Sequence, residues 1–482
     1  MLPVVTVAEM GAADAAALGR TTEGDLIRRA GTAAGLVALD MLGGAYGRRV
    51  VVVVGKGNNG ADGRVVARLL AARGARVQVV DAATAPATLP PCDLFVDAAY
   101  GTGFRGHYEA PQVDPATPVL AIDIPSGVDG DTGAMSGRPA RATRTATFAA
   151  LKLGLVQGDG PEVAGRVTVL DIGVAPGAPA VGLVEDADLV ADLPARPRQA
   201  HKWNAAVGIV AGSPGMEGAA GLSARGASHA GAGMVRLAVP GTEGDEHPGA
   251  WPIEAVRRAL PAEGWAASAL DAVAKCGAAV IGPGLGRSEG TQDQIRRFLR
   301  GARLPLVIDA DALFALGDAG SARALLAQVV PPVVLTPHDG EYRGILGHAP
   351  GPDRVAAARA LAEATGAVVL LKGSLTAVAV PPDQDPDDGE ALRLPGHPRV
   401  MLTATGSPRL ATAGTGDVLS GVIGAFIARG LPVASAAAFG AHAHGRAASL
   451  GLAEGLVAGD LPGLVAKWLS EQREPVSVEA AR

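Results

Sequence analysis

The chain of 482 residues reads as an α/β protein of two domains, each on a mainly parallel sheet flanked by helices. Three observations lead there. Apolar, β-branched runs of strand length, such as residues 50–54, alternate with helical patterns, as strands buried on both faces do. Glycine-rich and polar clusters follow those runs, at the strand ends where open parallel sheets bind ligands. The length also exceeds what one ordinary core accommodates.

Taken in order, residues 6–45 are helical, with Leu18, Leu26, Ile27, Ala30, Leu36, Leu39 and Leu42 on the apolar face. Strands are expected at 50–54, 76–80, 94–97 and 119–123, with a helix at 64–73. A Pro- and Ala-rich stretch of mixed charge at 175–202 reads as the linker, with the boundary near 193–198. Strands then recur at 206–211, 234–239, 278–281, 304–308, 332–335 and 367–371. Residues 241–251 and 381–388 read as exposed loops without chemistry.

Composition narrows the function. Apolar residues are 48% of the chain but aromatics only 3%, so cores are available and stacking platforms scarce. A net charge of −6 without a long basic run argues against nucleic acid or an anionic membrane as partner. Cys92 and Cys276 have neither metal spacing nor a disulfide framework, which fits a reducing compartment. No leader pattern and no apolar stretch of membrane-spanning length is visible, so a cytoplasmic enzyme is expected. His442 and His444, two residues apart, do not share a helical face, and no zinc site is read.

In the first half three clusters carry polar groups: Gly57-Asn58-Asn59-Gly60-Ala61-Asp62-Gly63, the run from Asp97 to Gly106, and Asp123-Ile124-Pro125-Ser126-Gly127. Each alone is ordinary turn chemistry. Together, the hard oxygen donors of Asn59, Asp97 and Ser126 suit an oxygen-loving cation. In the second half the stretch Ala411-Thr412-Ala413-Gly414-Thr415-Gly416-Asp417 feeds an apolar helix. Its open amides and the helix dipole make a phosphate cup. Asp417 is then either an aspartate of the helix cap or a base that takes a hydroxyl proton beside the bound phosphate. Lys372-Gly373-Ser374-Leu375-Thr376 is a second phosphate-friendly turn, and His338 is the one histidine in a strand-end cluster.

The segments GNNGADG, DAAYGTGFRG and DIPSG, in this order, resemble the NAD(P)H-hydrate epimerase domain. IGPGLG, DADAL, LTPHDGE, KGSLT and ATAGTGDVLSG resemble the ADP-dependent NAD(P)H-hydrate dehydratase branch of the ribokinase-like superfamily. The resemblance implies a Rossmann-like three-layer domain at 1–195 and a ribokinase-like α/β domain at 199–475. It implies K⁺ on Asn59, Asp97 and Ser126, and a hydrate site formed by Asn58, Asn59, Gly60, Ala61 and Asp62 together with Gly101, Thr102, Gly103, Phe104, Arg105, Gly106 and His107. Asp123 is the expected acid/base. Phe148, Lys152 and Gly154 match the later pattern, though Lys152 also reads as a surface charge. In the second domain Ala219, Gly286 and His338 are expected on the hydrate, Lys372, Gly373, Ser374, Leu375, Thr376 and Gly416 on the adenine nucleotide, and Asp417 as base. Three positions depart from the family pattern: Ala61 for its second glycine, Asp339 for a proline, and Ser407 for an asparagine.

The implied reaction is repair of NADH hydrate and NADPH hydrate by C6 epimerisation and dehydration, with ADP as phosphoryl donor, Mg²⁺ as helper and a homo-oligomer as the assembly. Two rivals share parts of this pattern: a small-molecule kinase using the same Gly-x-Gly-Asp device, and a dinucleotide-sensing first half without activity.

Overall fold

The computed structural model describes residues 1–243, 251–382 and 392–473. The chain divides into two compact units, Leu2–Gly182 and the chain from Leu183 onward, with Met1 counted in the latter. The loop expected at 241–251 lies mostly outside the described residues, and so does that at 381–388.

The first unit holds a six-stranded, wholly parallel sheet. Its strands are β1 (Arg49–Val54), β2 (Arg76–Asp81), β3 (Leu94–Ala98), β4 (Val119–Ile122), β5 (Arg144–Phe148) and β6 (Arg166–Leu170), in the spatial order β6-β5-β4-β3-β1-β2. The valine run of β1 is buried on both sides, as its unbroken apolar sequence requires. Val50, Val52 and Val54 face a core shared with helices α1 (Val7–Leu18), α2 (Glu23–Leu42) and α3 (Asn58–Ala72). Val51 and Val53 face the other core, with Leu89, Phe95 and Tyr108. β5 and β6 were not anticipated. Thr145 and Thr147 alternate with apolar residues in β5, and β6 closes the sheet edge, so neither shows the continuous apolar signal of β1.

Helix α3 corrects the expected start at residue 64. It begins at Asn58 behind the N-cap Gly57, so GNNGADG is helix rather than loop. Three glycines in seven residues lower helix propensity, but tertiary packing leaves no room for a Cβ on Gly60 or Gly63. A Cβ on Gly60 would lie 2.0 Å from the Gly55 carbonyl oxygen, so only glycine lets the helix start press onto the strand end.

Among its described residues the second unit builds a sheet of nine strands: β7 (Ala206–Val210), β8 (Met234–Pro240), β9 (Val256–Leu260), β10 (Ala278–Ile281), β11 (Leu306–Ile308), β12 (Val333–Leu335), β13 (Val368–Leu371), β14 (Thr376–Ala379) and β15 (Val400–Thr403). Their order is β9-β8-β7-β10-β11-β12-β13-β14-β15, parallel as far as β13 and antiparallel beyond it. The edge strand β9, rich in arginine, carries no apolar run that would reveal it. Helices α4 (Glu217–His229), α5 (Thr415–Ala428) and α6 (Val433–Leu450) pack on this sheet in one apolar core. α4 and α5 approach backbone to backbone: a Cβ on Gly421 would lie 2.0 Å from the Ser223 carbonyl oxygen. Val184, Leu189 and Leu193, in the stretch read as linker, are buried in this same core.

Candidate active sites

In the first unit the ends of β1, β3 and β4 open into a cavity of about 640 Å³. Its polar walls include Asn58, Asn59, Asp62, Gly101, Thr102, Asp123 and Lys152, and its apolar wall is formed by Met10, Leu18, Leu26 and Ile27 of α1 and α2. Asn58 and Asp62 are one helical turn apart, which brings them to the same side of α3. Asn58 Nδ2 donates to Glu23 Oε1 at 3.1 Å.

Asp123 stands in a left-handed backbone conformation, φ 66°, rare for a residue with a side chain and a mark of a site whose surroundings fix it. Its Oδ1 lies 2.7 Å from Lys152 Nζ and accepts from Thr147 Oγ1 at 3.2 Å. Its Oδ2 stands over Gly101, where a Cβ would come within 3.5 Å of it. Lys152 is 2% exposed and also donates to the Phe148 carbonyl at 2.8 Å, so the surface-charge reading of this residue is wrong. A buried ammonium needs a counter-ion, and Asp123 is that partner. Asp62, itself buried, has an Oδ1 without a hydrogen-bond partner. Burial, and then the Asp123 charge, push its carboxyl up to about 8.

The three expected cation ligands are all buried. Asp97 accepts from the Ser126 amide at 2.9 Å and from its hydroxyl at 2.7 Å. Burial raises its carboxyl, and Ser126 and Ala99 oppose this with hydrogen bonds but bring no positive charge. Both amide atoms of Asn59 lack a partner. A buried carboxylate without a positive partner, its bonded hydroxyl and an orphaned amide oxygen are the donor types a cation with oxygen ligands takes. Gly103, Phe104 and Arg105 also line the cavity, whereas Gly60, Ala61, Gly106 and His107 are not among its walls. His107 pairs with Glu109 at 2.9 Å on the surface.

In the second unit the site forms where α5 begins, over the ends of β11, β12 and β13. Gly414, at φ 91°, is the N-cap of α5 and places Asp417 in its first turn. Under that turn lies Lys372: a Cβ on Gly416 would come within 3.4 Å of its Nζ. Lys372 Nζ donates to Asp309 Oδ1 at 2.9 Å and lies 3.9 Å from Glu341 Oε2. Burial would lower the Lys372 pKa, but Asp309 and Glu341 hold it up. Burial would likewise raise Asp309, but Lys372 and then the Ser420 hydroxyl hold it low. Asp417 has no such close partner. Burial, followed by the charge of Asp309, pushes it up to about 7 even though Lys372 pulls the other way.

Around this centre, Gly286 (φ 83°) donates its amide to Asp311 Oδ2 at 2.8 Å, and Ala219 lies beside Gly284 of the same loop. His338 is the N-cap of the helix Asp339–Leu346. Its Nδ1 accepts from the Gly340 amide at 2.9 Å, while Glu341 reaches back to the His338 amide at 2.9 Å, a reciprocal capping box. Asp339, the departure from proline, pairs with Arg354 at 2.7 Å, and Arg354 in turn donates to the Lys372 carbonyl. Leu375 is turned into the core, and Thr376 Oγ1 donates to the Gly373 carbonyl at 3.3 Å. Of the two helical histidines, His442 pairs with Asp186 at 2.7 Å. No group of three His, Cys, Asp or Glu suited to a metal occurs among the described residues.

Comparison with known proteins decides the family. The model of the NAD(P)H-hydrate dehydratase family matches residues 207–470, and that of the YjeF-related protein N-terminus matches 23–87 and 80–154. The bifunctional NAD(P)H-hydrate repair enzyme Nnr of Salinibacter ruber is 37% identical over 92% of this chain and 91% of its own. The enzyme of that name from Mycobacterium tuberculosis is 37% identical over 89% of each chain. The chain belongs to the bifunctional NAD(P)H-hydrate repair enzymes. A ribokinase-like superfamily protein from Enterococcus faecalis V583 shares the fold of the second unit, with TM-score 0.50 and 20% identity over 61% of this chain and 98% of its own.

For a member of this family three residues at the sites carry more than sequence reasoning gave them. Asp309 and Glu341 stood inside the DADAL and LTPHDGE segments, but nothing local distinguishes them from strand-end and capping acids. Lys152 lies 29 positions after its partner Asp123 in the chain. Only the parallel sheet brings the two together. No helix among the described residues is long and apolar enough to cross a membrane.

Proposed function

We propose that this chain repairs hydrated NADH and NADPH: the first unit interconverts the two C6 epimers, and the second dehydrates the S epimer at the expense of ADP. The observation that carries the reading is Asp417, a carboxyl pushed up to about 7 in the first turn of a glycine-led helix beside Lys372. That is a base poised near neutrality at a site built for phosphate.

The hydrate bears a hydroxyl on C6, the carbon bonded to the ring nitrogen, and hydroxide leaves poorly from it. Asp417 takes the hydroxyl proton as the oxygen attacks the terminal phosphorus of ADP, and AMP departs. The C6–O bond then breaks, its electron pair leaving with phosphate as the nitrogen lone pair assists. Loss of a C5 proton restores the dihydropyridine. The amides from Gly414 to Gly416 stabilise the transferring phosphoryl group. Lys372, held by Asp309, keeps its positive charge beneath them. Lys372 to Thr376 hold the nucleotide and Ala219, Gly286 and His338 the hydrate. Mg²⁺ carried by the nucleotide would neutralise phosphate charge, a role that needs no all-protein cage.

In the first unit Asp123 is the acid/base, paired through Oδ1 with Lys152 and presenting Oδ2 to the cavity. Asn58, Asn59 and Asp62, with Gly101 to Arg105, form the hydrate site. Asn59, Asp97 and Ser126 would hold K⁺, which would supply the positive charge that Asp97 lacks. The test of the carrying observation is Asp417→Asn, assayed on the S epimer with ADP. Dehydration is expected to fall by at least about 100-fold with epimer exchange intact; near-normal dehydration would remove Asp417 as the base.

A further inference from the structure

Helices α1 and α2 offered no chemistry in the sequence, yet they form one wall of the cavity in the first unit. That wall is apolar at Met10, Leu18, Leu26 and Ile27, and Asp14 is set among them. Asp14 makes no hydrogen bond or ion pair with any described residue, so no cap or surface network accounts for it. We propose that Asp14 is a second proton-transfer residue of the epimerisation, acting from the α1 wall on the hydrate epimer whose hydroxyl points away from Asp123. The inference rests on the epimerase reading of this cavity.

The chemistry asks for such a group. In the hydrate, C6 carries a hydroxyl and the ring nitrogen, so the N1–C6 bond can open without any redox change. The hydroxyl proton passes to a carboxylate, C6 becomes an aldehyde, and the bond pair stays on nitrogen, which takes a proton. Rotation about C5–C6 presents the other face of the carbonyl. Nitrogen then attacks that face, the new hydroxyl oxygen gains a proton and nitrogen returns its own, so atoms and charge balance. The two epimers differ in the direction of the hydroxyl, and one carboxylate on one wall reaches one direction. Asp123, at the end of β4, and Asp14, on α1, approach from different elements.

The charges around Asp14 suit a proton carrier. Lys152 and Asp123 act on it from the sheet side, and the cavity also holds Glu23 of α2, Asp62 of α3 and Arg105 of the loop after β3. Burial raises the Asp14 carboxyl, Lys152 opposes this and Asp123 adds to it. The net effect is a carboxyl held above that of an exposed aspartate.

The test uses the full chain without ADP, starting from each purified C6 epimer of hydrated NADPH and following the appearance of the other by chromatography. Asp14→Asn is expected to slow exchange by about 100-fold or more, and to remove one titrating limb from its pH profile. Asp14→Glu is expected to restore part of the rate with the limb displaced. Dehydration of the S epimer with ADP reports, on the same preparations, that the chain is folded. Exchange within about 2-fold of wild type in Asp14→Asn, or an unaltered pH profile in Asp14→Glu, would overturn the inference while leaving the epimerase reading standing. Absence of exchange in the wild-type chain would instead defeat that reading and this inference with it.

Discussion

On the proposed reading, Asp417 and Lys372 of the second site bear on both activity and stability. Asp417 must be ionised to act as base, so kcat/KM for dehydration is expected to rise with pH through about 7 and level off above it. Its effect on stability has the opposite sign. The folded carboxyl keeps its proton to about 7 while the unfolded one loses it near 3.8. The folded state therefore binds the extra proton, and stability falls as pH rises between those values. Asp417→Asn should then melt at a higher temperature than wild type at pH 8, despite losing dehydration; an unchanged or lower Tm would contradict the burial argument. Lys372 behaves conversely. Replacing it by Met strands Asp309 in the interior, at a cost of about 3–5 kcal/mol, read as a fall in Tm of the whole chain at pH 7. That loss should shrink as the pH is lowered and Asp309 takes a proton.

Helix α3 is where local pattern and tertiary packing disagree most. Gly60 and Ala61 are neighbours in the motif and have unlike roles. Gly60 presses on the Gly55 carbonyl, so Gly60→Ala should lower the Tm strongly and abolish epimer exchange. Ala61, off the cavity wall, takes the place of the family's glycine. Ala61→Gly is expected to leave epimer exchange within 2-fold, on the order of experimental scatter, and to cost roughly 1 kcal/mol of helix propensity. A gain in exchange would mean that Ala61 crowds the ligand. The strands of both units were legible where they run apolar on both faces, as at Val50–Val54, because nothing but a central strand buries such a run. β6 and β9 were not, because an edge strand may carry arginine and threonine. The start of α3 was hidden by its glycines, whose purpose is a contact with a residue on another element. The strand-end clusters were legible as sites, since topology alone sends those ends to ligands. Lys152 and Glu341 were not, since their partners are set by the sheet and by a helix cap.

At the scale of the whole molecule, two candidate sites stand in two compact units, and each holds the carboxylate proposed as its acid/base. Fusion has a chemical logic: a dehydratase that accepts one epimer leaves the other behind, and an epimerase supplies it. The roles should separate cleanly. In the full chain Asp123→Asn is expected to lose epimer exchange while still dehydrating the S epimer, the reverse of Asp417→Asn. If either substitution stopped both reactions, the assignment of one reaction to each unit would fail.

The measurement that decides the account gives the full chain a mixture of both C6 epimers of hydrated NADPH with ADP and Mg²⁺, and follows absorbance at the reduced-nicotinamide band. Recovery of the whole band is predicted, because the epimer that cannot be dehydrated is converted into the one that can. No recovery with ADP or with ATP, together with a stable phosphorylated product, would contradict it and make the second unit a small-molecule kinase.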